Sequence, residues 1–205
     1  MPKTGRTRQI AVDDWEKRSM TEATYIVIGV PRSGTSMVAG ILRILGIYMG
    51  ENIKPGKHED TDILWQQPPK IIKTIKHRNA TQKVWGFKDP NCARYIGLIE
   101  PYLINPRYIY IKRSLPKTVE SDLRRGQKSR RHATRRNTAY KSVYDTIEQK
   151  RTCLSLEYDI VVACPTETVD LISQFCGNTA TKEQRSRAVE FIQPGDYRDI
   201  KEGNQ

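Results

Sequence analysis

One segment constrains this chain more than any other: Tyr25-Ile26-Val27-Ile28-Gly29-Val30-Pro31-Arg32-Ser33-Gly34-Thr35-Ser36, in which an apolar run enters a glycine-bracketed loop. Beyond the loop, Val38, Ile41, Leu42 and Leu45 recur at the spacing of one helix face. The pattern predicts a strand over Tyr25–Ile28 and a helix from about Thr35 to Leu45 that Gly46 stops. A strand, a tight loop and a helix in that order make a cradle for anions, because the unpaired first-turn amides and the positive end of the helix dipole face the loop. Gly29 and Gly34 let the intervening amides turn inward. Arg32 adds a permanently charged forked donor, and Ser33, Thr35 and Ser36 add hydroxyls.

Two familiar nucleotide motifs fit this loop poorly. The Gly29-to-Gly34 spacing matches the opening of the triphosphate-binding loop, but that motif continues with Lys and a metal-holding Ser or Thr, whereas Thr35 and Ser36 stand here. The dinucleotide fingerprint Gly-x-Gly-x-x-Gly is absent. The expected ligand is an oxyanion, with Arg32 inside the loop as the nearby cation.

A length of 205 residues suits one domain with one good core. It is expected over residues 21–193, after a basic arm at 1–20 that Trp15 tacks down and before a polar tail at 194–205. The most apolar stretch, Tyr25 to Gly50, is interrupted by Pro31, Arg32 and Arg43, so no membrane span is expected. The N-terminus lacks a signal peptide's apolar segment, and a cytoplasmic protein is the expectation. Cys92, Cys153, Cys164 and Cys176 are scattered, as are His58, His77 and His132, so no structural metal is expected. Cys153, Cys164 and Cys176 are read as small core fillers.

The net charge of +12, from 35 basic and 23 acidic residues, favours anionic partners. Arg124, Arg125, Lys128, Arg130, Arg131, Arg135 and Arg136 follow one another with no acid between them. Without interleaved aromatics or a nucleic-acid module, this run argues against nucleic acid as the principal partner. It reads as a solvated face or as a groove for an anionic substrate.

Further apolar runs predict strands at Val84–Phe87, Arg107–Ile111 and Thr152–Leu156. Asn52 to Asp62 is a polar connection, and helical pieces at Ile63-Leu64 and Ile71 to Ile75 are divided by Pro68-Pro69. A helix begins after Pro116, another carries Tyr140, Val143, Tyr144 and Ile147 on one face, and a third starts near Pro165 and ends at Gly177. Short strands alternating with helices predict a three-layer α/β/α fold with a mainly parallel central sheet. In such sheets ligands gather beyond the carboxyl ends of the strands. Three strands deliver polar groups there: Arg32 and Ser33, Lys88 and Asp89, Arg113 and Ser114. One shared site is expected.

With these residues assembled, the chain resembles the sulfotransferase superfamily that uses 3′-phosphoadenosine 5′-phosphosulfate (PAPS), nearest to its bacterial and phage-type members, with a fold like that of P-loop nucleotide hydrolases. Pro31-Arg32-Ser33-Gly34-Thr35-Ser36 is similar to the family's first signature, which binds the 5′-phosphosulfate; animal members carry lysine at the position of Arg32. Tyr108-Ile109-Tyr110-Ile111-Lys112-Arg113-Ser114-Leu115-Pro116, continuing to Ser121, is similar to the second, which implies Arg113 and Ser121 on the donor's 3′-phosphate. Trp85-Gly86-Phe87-Lys88-Asp89-Pro90 resembles a Lys-Asp-Pro segment of the family. Leu156-Glu157-Tyr158-Asp159, with the Val169 to Gly177 helix, resembles one that completes the fold. The resemblance covers about Tyr25 to Gly177.

The resemblance implies transfer of a sulfuryl group from PAPS to a hydroxyl or amine of a small-molecule or glycan acceptor, with 3′-phosphoadenosine 5′-phosphate (PAP) as product. Arg32, Ser33, Gly34, Thr35, Ser36, Arg113 and Ser121 are the implied donor-binding residues, and Arg32 is the implied catalytic cation at the leaving oxygen. Lys88 is also implied as a catalytic residue, lining the donor or acceptor pocket, and Asp89 is implied to orient it or a backbone turn. The acceptor must also lose a proton. Glu59, within Gly56-Lys57-His58-Glu59-Asp60-Thr61-Asp62, is the favoured base, with His58, Asp60 and Asp62 as substitutes; the alternative is a solvated acidic turn. The histidine base of animal cytosolic members and their glycine-rich C-terminal cofactor segment are absent, which leaves Arg124 and Arg125, or the tail with Arg198, to cover the nucleotide. Competing classes are a metal-dependent nucleotide kinase and a non-catalytic nucleotide- or polyanion-binding protein. Trp65, Trp85 and Tyr48 either pack in the core or line a pocket.

Overall fold

The computed structural model describes residues 22–127, 129–178, 180–194 and 200. The arm expected at 1–20 and most of the tail expected at 194–205, Arg198 included, lie outside the described residues. In chain order the elements are β1 (Ala23–Ile28), α1 (Thr35–Ile44), a hairpin of β2 (Ile53–Lys54) and β3 (Glu59–Asp60), α2 (Pro68–Thr81), β4 (Val84–Lys88) and α3 (Ile96–Ile99). They continue with β5 (Pro106–Lys112), α4 (Leu115–Arg124), α5 (Arg130–Lys150), β6 (Cys153–Glu157), α6 (Tyr158–Ala163), α7 (Pro165–Cys176) and α8 (Lys182–Phe191). The main sheet is parallel throughout in the order β4-β1-β5-β6, and helices cover both faces, which is the expected three-layer fold.

Period-two alternation along the strands decides the layers. Tyr25 and Val27 of β1, Ile109 and Ile111 of β5 and Leu154 and Leu156 of β6 pack with Val38, Ile41 and Leu42 of α1, Val169 and Ile172 of α7 and Ala188 of α8. The alternate residues Ile26, Ile28, Phe87, Tyr108 and Tyr110 pack with Ile71 and Ile75 of α2, Ile99 of α3 and Tyr144 and Ile147 of α5. Both faces of the inner strands are buried, which is why they read as continuous apolar runs. No helix among the described residues is long and apolar enough to cross a membrane.

Several boundaries differ from expectation for identifiable reasons. Pro68 and Pro69 open α2 instead of dividing two helical pieces, because a first-turn residue has no intrahelical N–H bond to lose. Ile63 and Leu64 belong to the turn before it. Pro116 likewise sits inside the first turn of α4, which starts at Leu115. The polar connection folds back on itself as the β2–β3 hairpin. Cys176 is buried and Cys153 half-buried, but Cys164 is exposed at the N-cap of α7 and fills no core.

Asp60 anchors the hairpin. Its carboxylate lies 2.5 Å from Arg78 of α2 with both side chains buried. The Arg78 guanidinium stands 5.7 Å from the Tyr48 ring centre and 5.4 Å from that of Trp85. Arg78→Met strands a buried carboxylate, and a stability loss of about 3–5 kcal/mol is expected. Urea unfolding reads that loss, and adding Asp60→Asn recovers a large part of it.

Candidate functional site

All three polar strand ends converge on one cavity of about 290 Å³ at the carboxyl edge of the sheet. Arg32, Thr35, Ser36, Glu59, Lys88 and Arg113 all line it. The loop after β1 is held open by tight local geometry. Ser33 N–H donates to Val30 O at 3.1 Å, Arg32 takes φ 72° and Gly34 takes φ 107°. A Cβ on Gly34 would stand 2.7 Å from Tyr158 Cδ2, and one on Gly29 would stand 2.7 Å from the Ile111 carbonyl oxygen. These two positions therefore call for glycine. No side chain caps α1. Its first-turn amides face the cavity as a ready anion site.

Arg32 and Arg113 interlock across this loop. Arg32 Nε donates to Ser121 Oγ of α4 at 3.0 Å, and Arg113 Nη1 donates to the Arg32 carbonyl at 3.2 Å. The Arg113 guanidinium lies 4.1 Å from the Tyr158 ring centre, and its buried Nε has no hydrogen-bond partner. A buried donor left unpaired carries a desolvation cost that an oxyanion in the cavity would relieve. Ser121 and Ser33 are buried and do not line the cavity; the Ser33 hydroxyl also lacks a partner. Ser121 is placed here to orient Arg32.

On the opposite flank, Lys88 at the end of β4 is buried and donates to the Lys57 carbonyl at 2.9 Å and to Glu59 Oε1 at 2.8 Å. Burial pulls the Lys88 pKa down, against the pull of the Glu59 carboxylate. The unfolded chain therefore binds more protons than the folded one just below the ordinary lysine value of 10.5, and this group's contribution to stability rises with pH through that window. Asp89 is also buried, and burial raises its pKa against the hydrogen bonds it accepts from Asn91 N–H at 2.8 Å and Tyr95 O–H at 2.7 Å. It braces the turn after β4 and is absent from the cavity wall.

The substitutes for Glu59 are engaged elsewhere. Asp60 pairs with Arg78, and Asp62 accepts from Asn52 Nδ2 at 3.2 Å; neither lines the cavity. His58 does line it, but Arg43 Nη1 donates to its Nδ1 at 3.0 Å. Arginine only donates, so Nδ1 accepts and the neutral ring keeps its proton on Nε2, the wrong form for a base.

No family model matches this chain, and no curated protein does. Solved structures do. The sulfotransferase domain of the Synechococcus PCC 7002 olefin synthase aligns with a TM-score of 0.63 at 15% identity, over 85% of this chain and 80% of that one. A sulfotransferase from Mycobacterium avium gives 0.60 at 14% identity, over 86% and 70%. A mouse sulfotransferase complexed with PAP gives 0.59 at 11% identity over 83% of this chain, which spans 65% of the mouse protein's length. This chain has the sulfotransferase fold. The likeness reaches bacterial and animal structures alike, so it singles out neither group.

Sequence reasoning missed part of the cavity wall. Arg136, from the basic run, reaches the wall while paired with Asp122; Arg124 and Arg125 are exposed and stay off it. Phe191 closes another side from α8, an element not anticipated. The signal for α8 was present: Thr181 and Gln184 form a capping box, with Thr181 Oγ1 accepting from Gln184 N–H at 3.1 Å. Trp85 and Tyr48 pack around Arg78, whereas Trp65 lines the cavity.

Proposed function

We propose that this protein moves a sulfuryl group from PAPS to a hydroxyl or amine acceptor. The observation that carries the reading is the uncapped start of α1 behind a glycine-bracketed loop, with Arg32 and the half-satisfied Arg113 on the same cavity. PAPS supplies the activated sulfuryl group, whose bond to the 5′-phosphate oxygen breaks with its electron pair as the acceptor oxygen or nitrogen bonds to sulfur. The residues present suit that donor. The amides of Thr35 and Ser36 and the Arg32 guanidinium hold the 5′ end, where negative charge grows on the leaving oxygen. Arg113 takes the 3′-phosphate, with Ser121 acting through Arg32. Lys88 fixes one oxygen of Glu59, and Glu59 Oε2 takes the acceptor's proton.

Thr35 stands where a triphosphate site carries its lysine, and Arg32 supplies a cation inside the loop instead, so donor binding is expected without a divalent ion. Calorimetry is expected to show PAP binding without metal and adenosine triphosphate with magnesium binding more weakly; the reverse order favours a kinase. Arg113→Ala should erase roughly 10- to 100-fold of the preference for PAP over its 3′-hydroxyl counterpart, the worth of a charged hydrogen-bond pair. An unchanged preference removes Arg113 from that role.

A further inference from the structure

Trp65 is 69% exposed, the largest exposure among the large apolar side chains of the described residues, yet it lines the cavity. Its backbone takes φ 62°, a conformation a bulky residue seldom adopts. The turn that carries it is tied back to β3, with Leu64 N–H donating to Asp60 O at 2.8 Å and Gln66 N–H to Ile63 O at 3.2 Å. The indole stands at the rim as an apolar surface presented to solvent.

Sheet order divides the cavity wall into two flanks. Arg113 and Tyr158 follow β5 and β6, and Arg136 joins them from α5, so the arginine-rich flank lies on that side of the loop. Lys88 ends β4 at the opposite edge, with Pro90 and Asn91 just after it, and there the hairpin brings Glu59 to Lys88. Trp65 ends the turn that directly follows β3, the strand that carries Glu59, which sets it beside this second flank. A cavity of about 290 Å³ is also at the small end of ligand sites, about 300–1,000 Å³. With a nucleotide inside a cavity of this size, the rim is the place left for a second ligand.

We infer that Trp65 is an acceptor platform: the acceptor lays a ring on the indole and presents a ring-borne hydroxyl toward Glu59. The inference rests on the sulfuryl-transfer reading and narrows its acceptors to cyclic alcohols. A sugar's C–H face and a phenol's π face share the required flat apolar surface. Open-chain alcohols lack it.

The test compares wild type, Trp65→Ala and Trp65→Phe with simple phenols, monosaccharides and open-chain alcohols, PAP affinity being measured separately by calorimetry. Trp65→Ala should raise the KM of one ring class about tenfold, Trp65→Phe should restore much of it, and PAP affinity should hold. At equilibrium, with PAP bound, the same ring class should quench tryptophan fluorescence in wild type and not in Trp65→Ala. Whichever ring class responds identifies the acceptor. A loss of PAP affinity with ring-acceptor KM unchanged would give the indole to the adenine and overturn the proposal. So would an equal effect on open-chain alcohols, or no quenching by either ring class. Failure of wild type to bind PAP would instead strike the sulfuryl-transfer reading itself.

Discussion

Replacing Arg32 with alanine is expected to lower kcat by about 10²- to 10³-fold, the effect of deleting one donor aimed at developing negative charge. PAP affinity should fall far less, because the first-turn amides of α1 remain and because the contact strengthens as charge moves onto the leaving oxygen. Ser121 and the Arg32 backbone explain why the side chain is aimed: its Nε is tied to Ser121 Oγ at 3.0 Å, and its carbonyl is held by Arg113 at 3.2 Å. Arg32→Lys keeps the charge and loses the fork, so an intermediate rate is expected. Single-turnover rates with PAPS measure this directly. A kcat within a factor of about two of wild type in Arg32→Ala would take the arginine out of the chemistry.

Glu59→Gln should cost about 10²- to 10⁴-fold in kcat for hydroxyl acceptors, the usual worth of a positioned general base. The amide can still accept from Lys88, so the local hydrogen bond survives while the basic oxygen is lost. Urea unfolding separates the two effects: Glu59→Gln should keep close to wild-type stability while its rate falls. Glu59→Ala is the harsher change. It leaves buried Lys88 without its anion, and a fall in stability accompanies the fall in rate. A kcat within a factor of about two of wild type in Glu59→Gln would place the base elsewhere.

How much of this was legible in the chain depended on the distance over which each feature is encoded. The β1–loop–α1 unit is local, with apolar period, glycines and hydroxyls all inside Tyr25 to Leu45, and it appears in the structure within one residue at the helix end. Parallel pairing also followed, because strands buried on both faces carry uninterrupted apolar runs. The Pro68-Pro69 start of α2 was misread because proline signals both a break and a first turn, and only the following periodicity at Ile71 and Ile75 separates them. The two neighbours that matter most to the site are non-local. Lys88 meets Glu59 only because a hairpin folds back on β4, and Arg32 meets Ser121 across a strand and a helix start. No spacing rule in the sequence encodes either contact. Trp65 was visible as an aromatic but not as an exposed one, since that follows from its left-handed backbone.

In the proposed reaction the amides at the start of α1, with Arg32 beside them, hold the 5′ end of the donor. A crystal structure of the PAP complex tests it most directly. The 5′-phosphate is expected within hydrogen-bond reach of the Thr35 and Ser36 amides and the Arg32 guanidinium, with the 3′-phosphate on Arg113. A complex with PAP bound away from this loop, or with the 5′-phosphate turned toward Lys88 and Glu59, would contradict it.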